Sequence, residues 1–251
     1  MRVTHGDRWT GVAEYLLHLI QRPAIIDQEA GKSMPQIVNA HLWQIRFPTE
    51  AIPHLGYGGI GLASLLIDEH VLELPLGNRL DRQFQVAKPN QVWTTDITYV
   101  WTLQGWLYVA VVIDLFSRQV VGWAIDHHMC TSLCVRALQM AFWRSKPPPG
   151  LLHHSDRGSQ YASREYRQHL AVMKMEQSMS RKGNCWDNSP TERFFRSLKH
   201  EQLNYEKFKT HEAAKLSVID YLAFYNGRRS HSTLGYLSPI EFEREFYRNA
   251  A

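Results

Sequence analysis

The sequence between residues 92 and 126, VWTTDITYVWTLQGWLYVAVVIDLFSRQVVGWAID, decides the fold. In residues 92–101 large apolar side chains alternate with Thr and Asp, and this period of two predicts a β-strand with one polar face. Residues 106–114 are almost continuously apolar, as in a strand that is covered on both faces. A short turn separates them from a third apolar stretch, residues 119–126. Three strands joined by tight turns predict an antiparallel meander.

The chain beyond this meander is predicted to be mostly helical. Hydrophobic residues recur there at helical spacing, and prolines stand at the boundaries of the segments. Helices are expected at residues 131–143 and 164–172, from Ser189 onward, at 211–225 and from Pro239, with short strands at 150–154 and 174–179. The order β-β-β-α-β-α-β-α predicts an α/β fold in which helices flank both faces of a mixed five-stranded sheet.

Composition excludes several classes of protein. The chain has 251 residues, of which 44% are hydrophobic and 21% charged, and these are ordinary values for a globular protein. The longest apolar run, residues 106–113, is too short to cross a bilayer, and the N-terminus has no secretory pattern. Three cysteines, none in a C-x-x-C pair, are consistent with a reducing compartment. We therefore expect a cytoplasmic protein without a membrane partner.

Charge divides the chain into two parts. Residues 1–80 contain 6 Lys and Arg against 8 Asp and Glu and are interrupted by Pro and Gly, whereas residues 81–251 contain 22 against 16. The basic excess makes a polyanion such as nucleic acid a plausible partner, although a solvated basic surface explains it equally well. We expect an N-terminal extension of uncertain structure over residues 1–80, less well ordered than a core over residues 81–248. Residues 81–91 are polar and are interpreted as a linker.

Three acidic residues stand where core packing would not place them. Asp96 lies in the middle of a predicted strand, Asp156 follows the end of another, and Glu192 lies in the first turn of a predicted helix. Acids in these places can converge on one point, where their mutual repulsion is relieved by protonation or by hard cations such as Mg²⁺ or Mn²⁺. Two such ions, about 3.5–4 Å apart, can hold the attacking and leaving oxygens of an in-line phosphoryl transfer.

Each acid also has a simpler explanation. A single Asp in a strand is usually on a solvated face, and Asp156 could form an Asx turn. Glu192 could complete a capping box, with Ser189 as the N-cap and Pro190 at the first helical position. The acids alone therefore leave the question open.

Four segments carry a resemblance that bears on this choice. They are WTTDITYV (93–100), HHSDRGSQYAS (153–163), SRKGNCWDNSPTERFFRSLKHE (180–201) and YNGRRSHSTLGYLSPIEF (225–242). In this order they closely resemble the catalytic core of DDE-type insertion-sequence transposases, which are related to retroviral integrases. The 35 residues between Asp156 and Glu192 match the D-D-35-E spacing of that family. The resemblance covers residues 80–248, about two-thirds of the chain.

The resemblance implies a fold, a reaction and partners. The fold would be RNase H-like, and the reaction would be metal-dependent cleavage and strand transfer of the DNA ends of a mobile element. Asp96, Asp156 and Glu192 would be the catalytic residues and the ligands of two Mg²⁺ or Mn²⁺ ions. The partners would be element-end and target DNA, further copies of the chain on that DNA, and a DNA-binding protein from an upstream reading frame. A bacterial cytoplasmic location, at the nucleoid when DNA is bound, would follow.

Further residues are expected to bind DNA or to shape the site. Arg196 and Lys199 lie four and seven residues after Glu192 and so share its helix face, where they could grip phosphates or simply be solvated. The family has a basic residue at the position of Lys199. Gly158 and Gln160 are expected to shape the loop beside Asp156. The other DNA-binding candidates are Lys182, Asn188 and Arg229, the last of which could instead brace the catalytic helix.

Several other features are less informative. Trp186 could stack on a base, but most of the eight tryptophans are expected in the core. His127, His128, Cys130 and Cys134 do not have the spacing of a zinc finger. Two alternatives to an active transposase remain. One is a catalytically idle DNA-binding remnant that lacks its end-recognition segment. The other is a nuclease of RNase H type, which the C-terminal motif disfavours.

Overall fold

The computed structural model describes residues 77–250 of the chain. Residues 1–76, and with them nearly all of the predicted N-terminal extension 1–80, lie outside the described residues, as does residue 251. The described part contains a five-stranded sheet in the order β3-β2-β1-β4-β5. Its strands are β1 Val92–Thr102, β2 Gly105–Asp114, β3 Val120–Asp126, β4 Leu152–Ser155 and β5 Glu176–Met179.

The sheet is mixed, as the sequence predicts. β1, β2 and β3 are antiparallel neighbours, while β4 pairs in parallel with β1 and β5 pairs in parallel with β4. β1 therefore lies at the centre, with the meander on one side and the two short strands on the other. This position matters for the site, because it brings the end of β4 beside the middle of β1.

Helices cover both faces of this sheet. Among residues 77–250 they are α1 Thr131–Ser145, α2 Ser159–Ala162, α3 Arg164–Val172, α4 Ser189–Glu201, α5 His211–Gly227 and α6 Pro239–Ala250. Short 3-10 turns occupy Cys185–Asn188, Leu203–Tyr205 and Ser232–Leu234. No helix of this part of the chain is both long and apolar enough to cross a membrane.

Each face of the sheet has its own hydrophobic core. On one face Ala110 and Val112 of β2 pack with residues of α1, α2 and α3. On the other face Val109 and Val111 pack with residues of α4 and α5. β2 is thus buried on both faces, which explains its almost continuous apolar sequence. α1 lies so close to β3 that a Cβ atom on Gly122 would be 2.3 Å from the carbonyl oxygen of Ala137.

The segment before β1 is attached to the core at several points. Leu80 is 2% exposed, and the backbone N–H groups of Arg79 and Leu80 donate to the Ser178 hydroxyl on β5. Further along, the Asn90 N–H donates to Asp114 at 2.9 Å. The polar residues 81–91, interpreted as a linker, therefore follow the surface of the core and contact it.

The expectation that most tryptophans lie in the core is wrong for the described residues. Trp93 is fully buried, but Trp101, Trp106, Trp143 and Trp186 are between 45% and 69% exposed. Trp101 and Trp106 pair edge to face, with ring centroids 4.7 Å apart, near the turn between β1 and β2. Their side chains remain exposed there because they lie beyond the two hydrophobic cores.

Candidate active site

Strand pairing brings two of the predicted acids together. β1 and β4 run in parallel, and the last residues paired between them are Thr95 and Ser155. Asp96 follows Thr95 and Asp156 follows Ser155. The two aspartates therefore lie side by side, just beyond the last paired residues of the two strands. Asp156 lies just past the end of β4, whereas β1 continues beyond Asp96 and pairs there with β2.

The start of α4 brings the third acid to the same place. The hydroxyl groups of Thr191 and Thr94 are hydrogen-bonded at 2.8 Å, and the Asn188 amide donates to the Thr95 carbonyl oxygen at 3.1 Å. Both contacts are buried, and both attach the first turn of α4 to the residues that precede Asp96 on β1. Glu192 follows Thr191 directly, so this attachment holds it over the same point of the sheet. Asp96, Asp156 and Glu192 are called the three-acid site below.

The pKa of Asp96 reflects its surroundings in this site. Burial, and then the nearby charges of Asp156 and Glu192, raise the pKa of Asp96 to about 7 against the opposing hydrogen bond from the Ile97 N–H. Burial also raises the pKa of Glu192, partly offset by Arg196. A buried acid with acidic neighbours binds either a proton or a cation to relieve the repulsion.

The structure excludes the capping-box explanation of Glu192. The N-cap of α4 is Asn188, not Ser189, and no side chain caps the helix. Ser189 is already helical, with φ −54° and ψ −30°, because the 3-10 turn Cys185–Asn188 runs directly into α4. The prediction of Ser189 as N-cap is therefore wrong, and Glu192 has no capping partner in it.

Gly158 and Gln160, which are expected to shape the loop after Asp156, both make contacts there. The Gly158 N–H donates to Asp156 Oδ1 at 2.9 Å, and a Cβ atom on Gly158 would lie only 3.0 Å from that oxygen. The Gln160 amide donates to the Met129 carbonyl oxygen at 3.4 Å, which links this loop to the segment before α1. The two residues thus set the path of the backbone around Asp156.

Three of the DNA-binding candidates lie in accessible positions near the site. Lys182 is exposed on the loop before α4, and Arg196 is exposed on α4 itself. The Lys199 ammonium lies 4.6 Å from the centre of the Tyr99 ring, a cation–π contact that leaves its charge available. All three belong to the loop and helix that carry Glu192.

The other two DNA-binding candidates are used within the protein. Asn188 is 3% exposed, and its amide binds the Thr95 carbonyl and lies 3.1 Å from the Thr191 hydroxyl. We therefore correct its assignment from DNA contact to attachment of α4. Arg229 donates to both carboxylate oxygens of Glu201, with Nε 2.7 Å from Oε2, and so braces the C-terminal end of α4.

The segment 180–201 contains one buried acid, Asp187, whose structural role the sequence does not predict. Asp187 is fully buried, and Arg181 donates to it from Nε, Nη2 and the backbone N–H at 2.9–3.0 Å. Arg82 and Asn78 also donate to it, each at 2.9 Å. These hydrogen bonds, first those from Arg181, hold the pKa of Asp187 well below its usual range. This group, called the Asp187 clamp below, fixes the loop that leads into α4.

The histidines beside Asp156 are structural. His153 and His154 are fully buried, and burial lowers their pKa values to about 3 and about 4. His154 bonds to the hydroxyl groups of Ser178 and Ser180, and His153 to that of Tyr166. Both histidines lie within β4, just before Asp156, and are neutral and hydrogen-bonded there.

A group of closely spaced metal-ligating side chains lies at the end of β3, away from the three-acid site. Within residues 77–250, the group whose ligand atoms all lie within 4.8 Å of one another is Asp126, His127 and His128, at the end of β3. Cys130 and Cys134 do not belong to it, and Asp126 is already paired with Arg136 and His127. The oxygens of the three-acid site are spaced more widely than this limit.

Comparison with known proteins adds the family context. Two family models, both described as "Integrase core domain", match residues 86–185 and 173–239. Together they cover residues 86–239, more than half of the chain, and they include all three acids.

Curated relatives match the same region. The insertion element IS600 uncharacterized 31 kDa protein of Shigella sonnei is 43% identical over 175 residues, which are 69% of this chain and 64% of the relative. The transposase InsF for insertion sequence IS3A of Escherichia coli (strain K12) is 46% identical over 169 residues, 67% of this chain and 59% of the relative. The chain thus spans about three-fifths of the length of these relatives.

Solved structures share the fold at low sequence identity. A chain of the simian T-cell lymphotropic virus intasome in complex with PP2A regulatory subunit B56 gamma superposes with a TM-score of 0.55 at 19% identity, covering 68% of this chain and 59% of that one. The HTLV-2 integrase catalytic core domain in complex with magnesium has a TM-score of 0.51 at 16% identity, covering 63% and 99%. The predicted RNase H-like fold is confirmed.

Proposed function

Because the chain belongs to the integrase core domain family and its curated relatives include an insertion-sequence transposase, we propose that it is a DNA transposase. As a polynucleotidyl transferase it would cut the ends of an insertion sequence and join them to target DNA by in-line phosphoryl transfer. The observation that carries this proposal is the convergence of Asp96, Asp156 and Glu192 from two strands and a helix, with the pKa of Asp96 raised to about 7 by burial and by the other two acids.

The donor set suits divalent metal ions. Carboxylate oxygens are the ligands that Mg²⁺ and Mn²⁺ prefer, and the HTLV-2 neighbour is described as a magnesium complex. Two such ions, held by Asp96, Asp156 and Glu192, would suit an in-line phosphoryl transfer, in which one ion contacts the attacking oxygen and the other the leaving oxygen. When bound, such ions supply charge stabilisation at the phosphate and activate the attacking oxygen.

The residues of the chain have distinct roles in this proposal. Asp96 would hold a cation in its deprotonated form, because a bound cation would replace the proton in neutralising the three acids. The Gly158 N–H holds one oxygen of Asp156, so that its carboxylate is fixed before substrate arrives. Arg196, Lys199 and Lys182 contact phosphates on either side of the scissile bond, which positions the DNA strand and carries no sequence information.

Assembly and location follow from the reaction. An element has two ends, and joining both requires two active sites, so we propose that copies of this chain act together on paired DNA ends. A DNA-binding protein from an upstream reading frame would contribute end recognition, and the reaction would take place at the bacterial nucleoid. The alternative, a catalytically idle DNA-binding remnant, is not favoured, because a remnant has no need to keep three mutually repelling acids together.

A strand-transfer assay tests the proposal. Labelled duplexes taken from the DNA on both sides of the gene serve as element ends, with plasmid as target and Mg²⁺ or Mn²⁺ added. We expect joined products with the wild type, and at least about a thousandfold less with Asp96→Asn, Asp156→Asn or Glu192→Gln. Glu165→Gln, which removes an exposed acid from α3, is the matched control and should retain activity. Equal activity in Asp96→Asn and wild-type protein would refute the mechanism.

A further inference from the structure

A second charged site lies beside the first turns of α4, next to the helix face that carries Glu192. A cavity of about 390 Å³ opens between the first turns of α4, the end of α5 and the residues that follow α5. Three arginines line it, Arg118, Arg193 and Arg229, together with His231 and several hydroxyl groups. Its lining, all of it within residues 77–250, includes no Asp or Glu.

Two of these arginines lie close together without an acid that neutralises them. The pKa of Arg118 is lowered, first by burial and also by the positive charge of Arg193, while Tyr225 and Asp114 oppose the shift. Asp114, the nearest acid in this set, already accepts hydrogen bonds from Asn90 and Ser117. The ion pairs found among residues 77–250 include neither Arg118 nor Arg193. Arg118 Nη2 donates to the Phe84 carbonyl oxygen at 2.9 Å, but two guanidinium groups that line one cavity without an acid in its lining favour an anion there.

His231 adds an unused hydrogen-bond donor to the same cavity. Burial and then Arg229 lower its pKa to about 4, so the ring is neutral at physiological pH. Arg229 Nη1 lies 3.5 Å from His231 Nδ1, and because a guanidinium only donates, the tautomer in which Nδ1 accepts this long contact has its proton on Nε2. Nε2 is buried and has no partner within the described structure. A buried donor without an acceptor is costly unless a ligand supplies one.

We propose that this cavity binds a phosphate group through Arg118, Arg193 and His231, and that with DNA as the ligand it holds a backbone phosphate of the strand that passes Glu192. A phosphate group has several acceptor oxygens and carries one or two negative charges. It can therefore accept hydrogen bonds from two positively charged guanidinium groups and from one neutral N–H. The identification of DNA as the source of the phosphate rests on the proposed function, whereas the binding of phosphate to this cavity does not.

The geometry of α4 links the cavity to the active site. Ser189, Arg193 and Ser197 are four residues apart and face the cavity, while Glu192 and Arg196 lie one position earlier, about 100° around the helix. The first turn of α4 therefore contributes to both sites. A phosphate held by Arg193 would fix the DNA strand relative to the turn that carries Glu192.

Two measurements on the full chain test the proposal, with Arg193→Gln as the variant. Arg193 is exposed on α4, so its replacement should not disturb folding, and Arg244→Gln on α6 removes the same charge as a control. In the first measurement, inorganic phosphate is compared with chloride at equal ionic strength. We expect phosphate to raise the Tm of wild type and of Arg244→Gln, and to raise that of Arg193→Gln much less.

The second measurement identifies the source of the phosphate. A fluorescein-labelled duplex of arbitrary sequence is titrated in EDTA over a range of salt concentrations. We expect Arg193→Gln to bind it about tenfold more weakly and to lower the salt slope by about one, with Arg244→Gln close to wild type. A phosphate-dependent Tm with unchanged duplex binding would overturn DNA as the ligand and leave free phosphate.

Failure of this proposal and of the proposed function are distinguishable. If Arg193→Gln matches Arg244→Gln in both measurements while the wild type still performs strand transfer, the phosphate site is overturned and the transposase proposal stands. If the wild type fails in strand transfer but Arg193→Gln loses the response to phosphate, the reverse holds.

Discussion

The three-acid site and the Asp187 clamp each contain an aspartate withdrawn from solvent, but the electrostatics of these two aspartates are opposite. In the three-acid site Asp96 is partly buried beside Asp156 and Glu192, and its pKa rises to about 7. In the clamp Asp187 is buried among Arg181, Arg82 and Asn78, and its pKa falls well below the usual range. One region holds charge that the protein itself does not neutralise, and the other is neutralised completely.

The difference separates a ligand site from a structural one. A buried acid that the protein already pairs gains little from a cation, whereas three acids without such partners gain much. The clamp fixes the loop before α4, and the contacts of Thr191 and Asn188 fix the start of α4 itself. Rigid attachment on one side thus holds the repelling acids in place on the other.

The largest expected effect is that replacement of Asp96 stabilises the chain in the absence of metal. The pKa of Asp96 is raised in the folded state, so folding becomes less favourable as pH rises from about 4 to about 7, and the cost is complete above that. At pH 8 in EDTA, Asp96→Asn should raise the free energy of unfolding by about 2–4 kcal/mol. Urea unfolding at pH 8 and pH 4 measures it.

The same experiment contains its control. At pH 4 the free energies of unfolding of the wild type and of Asp96→Asn should become similar, because Asp96 is then protonated in the folded state. Mg²⁺ at pH 8 should narrow the difference by stabilising the wild type alone. A variant that is less stable than the wild type at pH 8 would contradict the interpretation of the three-acid site.

The clamp should respond in the opposite direction. Asp187→Asn removes a charged acceptor from five hydrogen bonds, so we expect the free energy of unfolding at pH 7 to fall by about 2–3 kcal/mol. The pKa of Asp187 is lowered in the folded state, and its contribution is therefore present above about pH 4 and is lost as pH falls below that value. Urea unfolding at pH 7 and pH 3 should show the difference shrinking.

An exposed acid in the same area is the matched control. Asp81 pairs with Arg181 at 3.3 Å, but its side chain is 63% exposed. Asp81→Asn should change the free energy of unfolding by less than about 0.5 kcal/mol, as is usual for surface ion pairs. If Asp81→Asn and Asp187→Asn had equal effects, burial of the clamp would not be the source of its stability.

The sequence predicted the strands and the acids because both leave local patterns. Alternation in residues 92–101 and the continuous apolar run of β2 are properties of neighbouring residues, and Asp96 is conspicuous because Asp is disfavoured within a strand. The clamp leaves no such pattern, since Asp187 is 105 residues from Arg82 and 109 from Asn78. Only the folded chain brings them together.

Two errors have the same origin. Asn188 was expected to bind DNA because it lies beside basic, exposed loop residues, but its partner is the carbonyl oxygen of Thr95, 93 residues away. Trp101 and Trp106 are exposed although tryptophan is hydrophobic, because their face of the sheet lies outside the hydrophobic core at this end, whereas Val100 and Leu107 on the opposite face are buried. The burial of a side chain depends on which helices and strands pack against it in the folded chain, and residue type alone does not determine it.

The smallest expected effect on stability concerns the contact that joins the two regions. Thr191→Val keeps the shape of a side chain that is fully buried and removes the hydroxyl shared with Thr94 and Asn188. We expect the free energy of unfolding to fall by only about 1 kcal/mol. Strand transfer should fall by about tenfold, because Glu192 is the next residue and a small displacement of the helix changes its geometry. Thr131→Val, in the first turn of α1, is the control for a threonine in that setting. Should Thr191→Val lose stability but keep full activity, the attachment of α4 to β1 would not position Glu192.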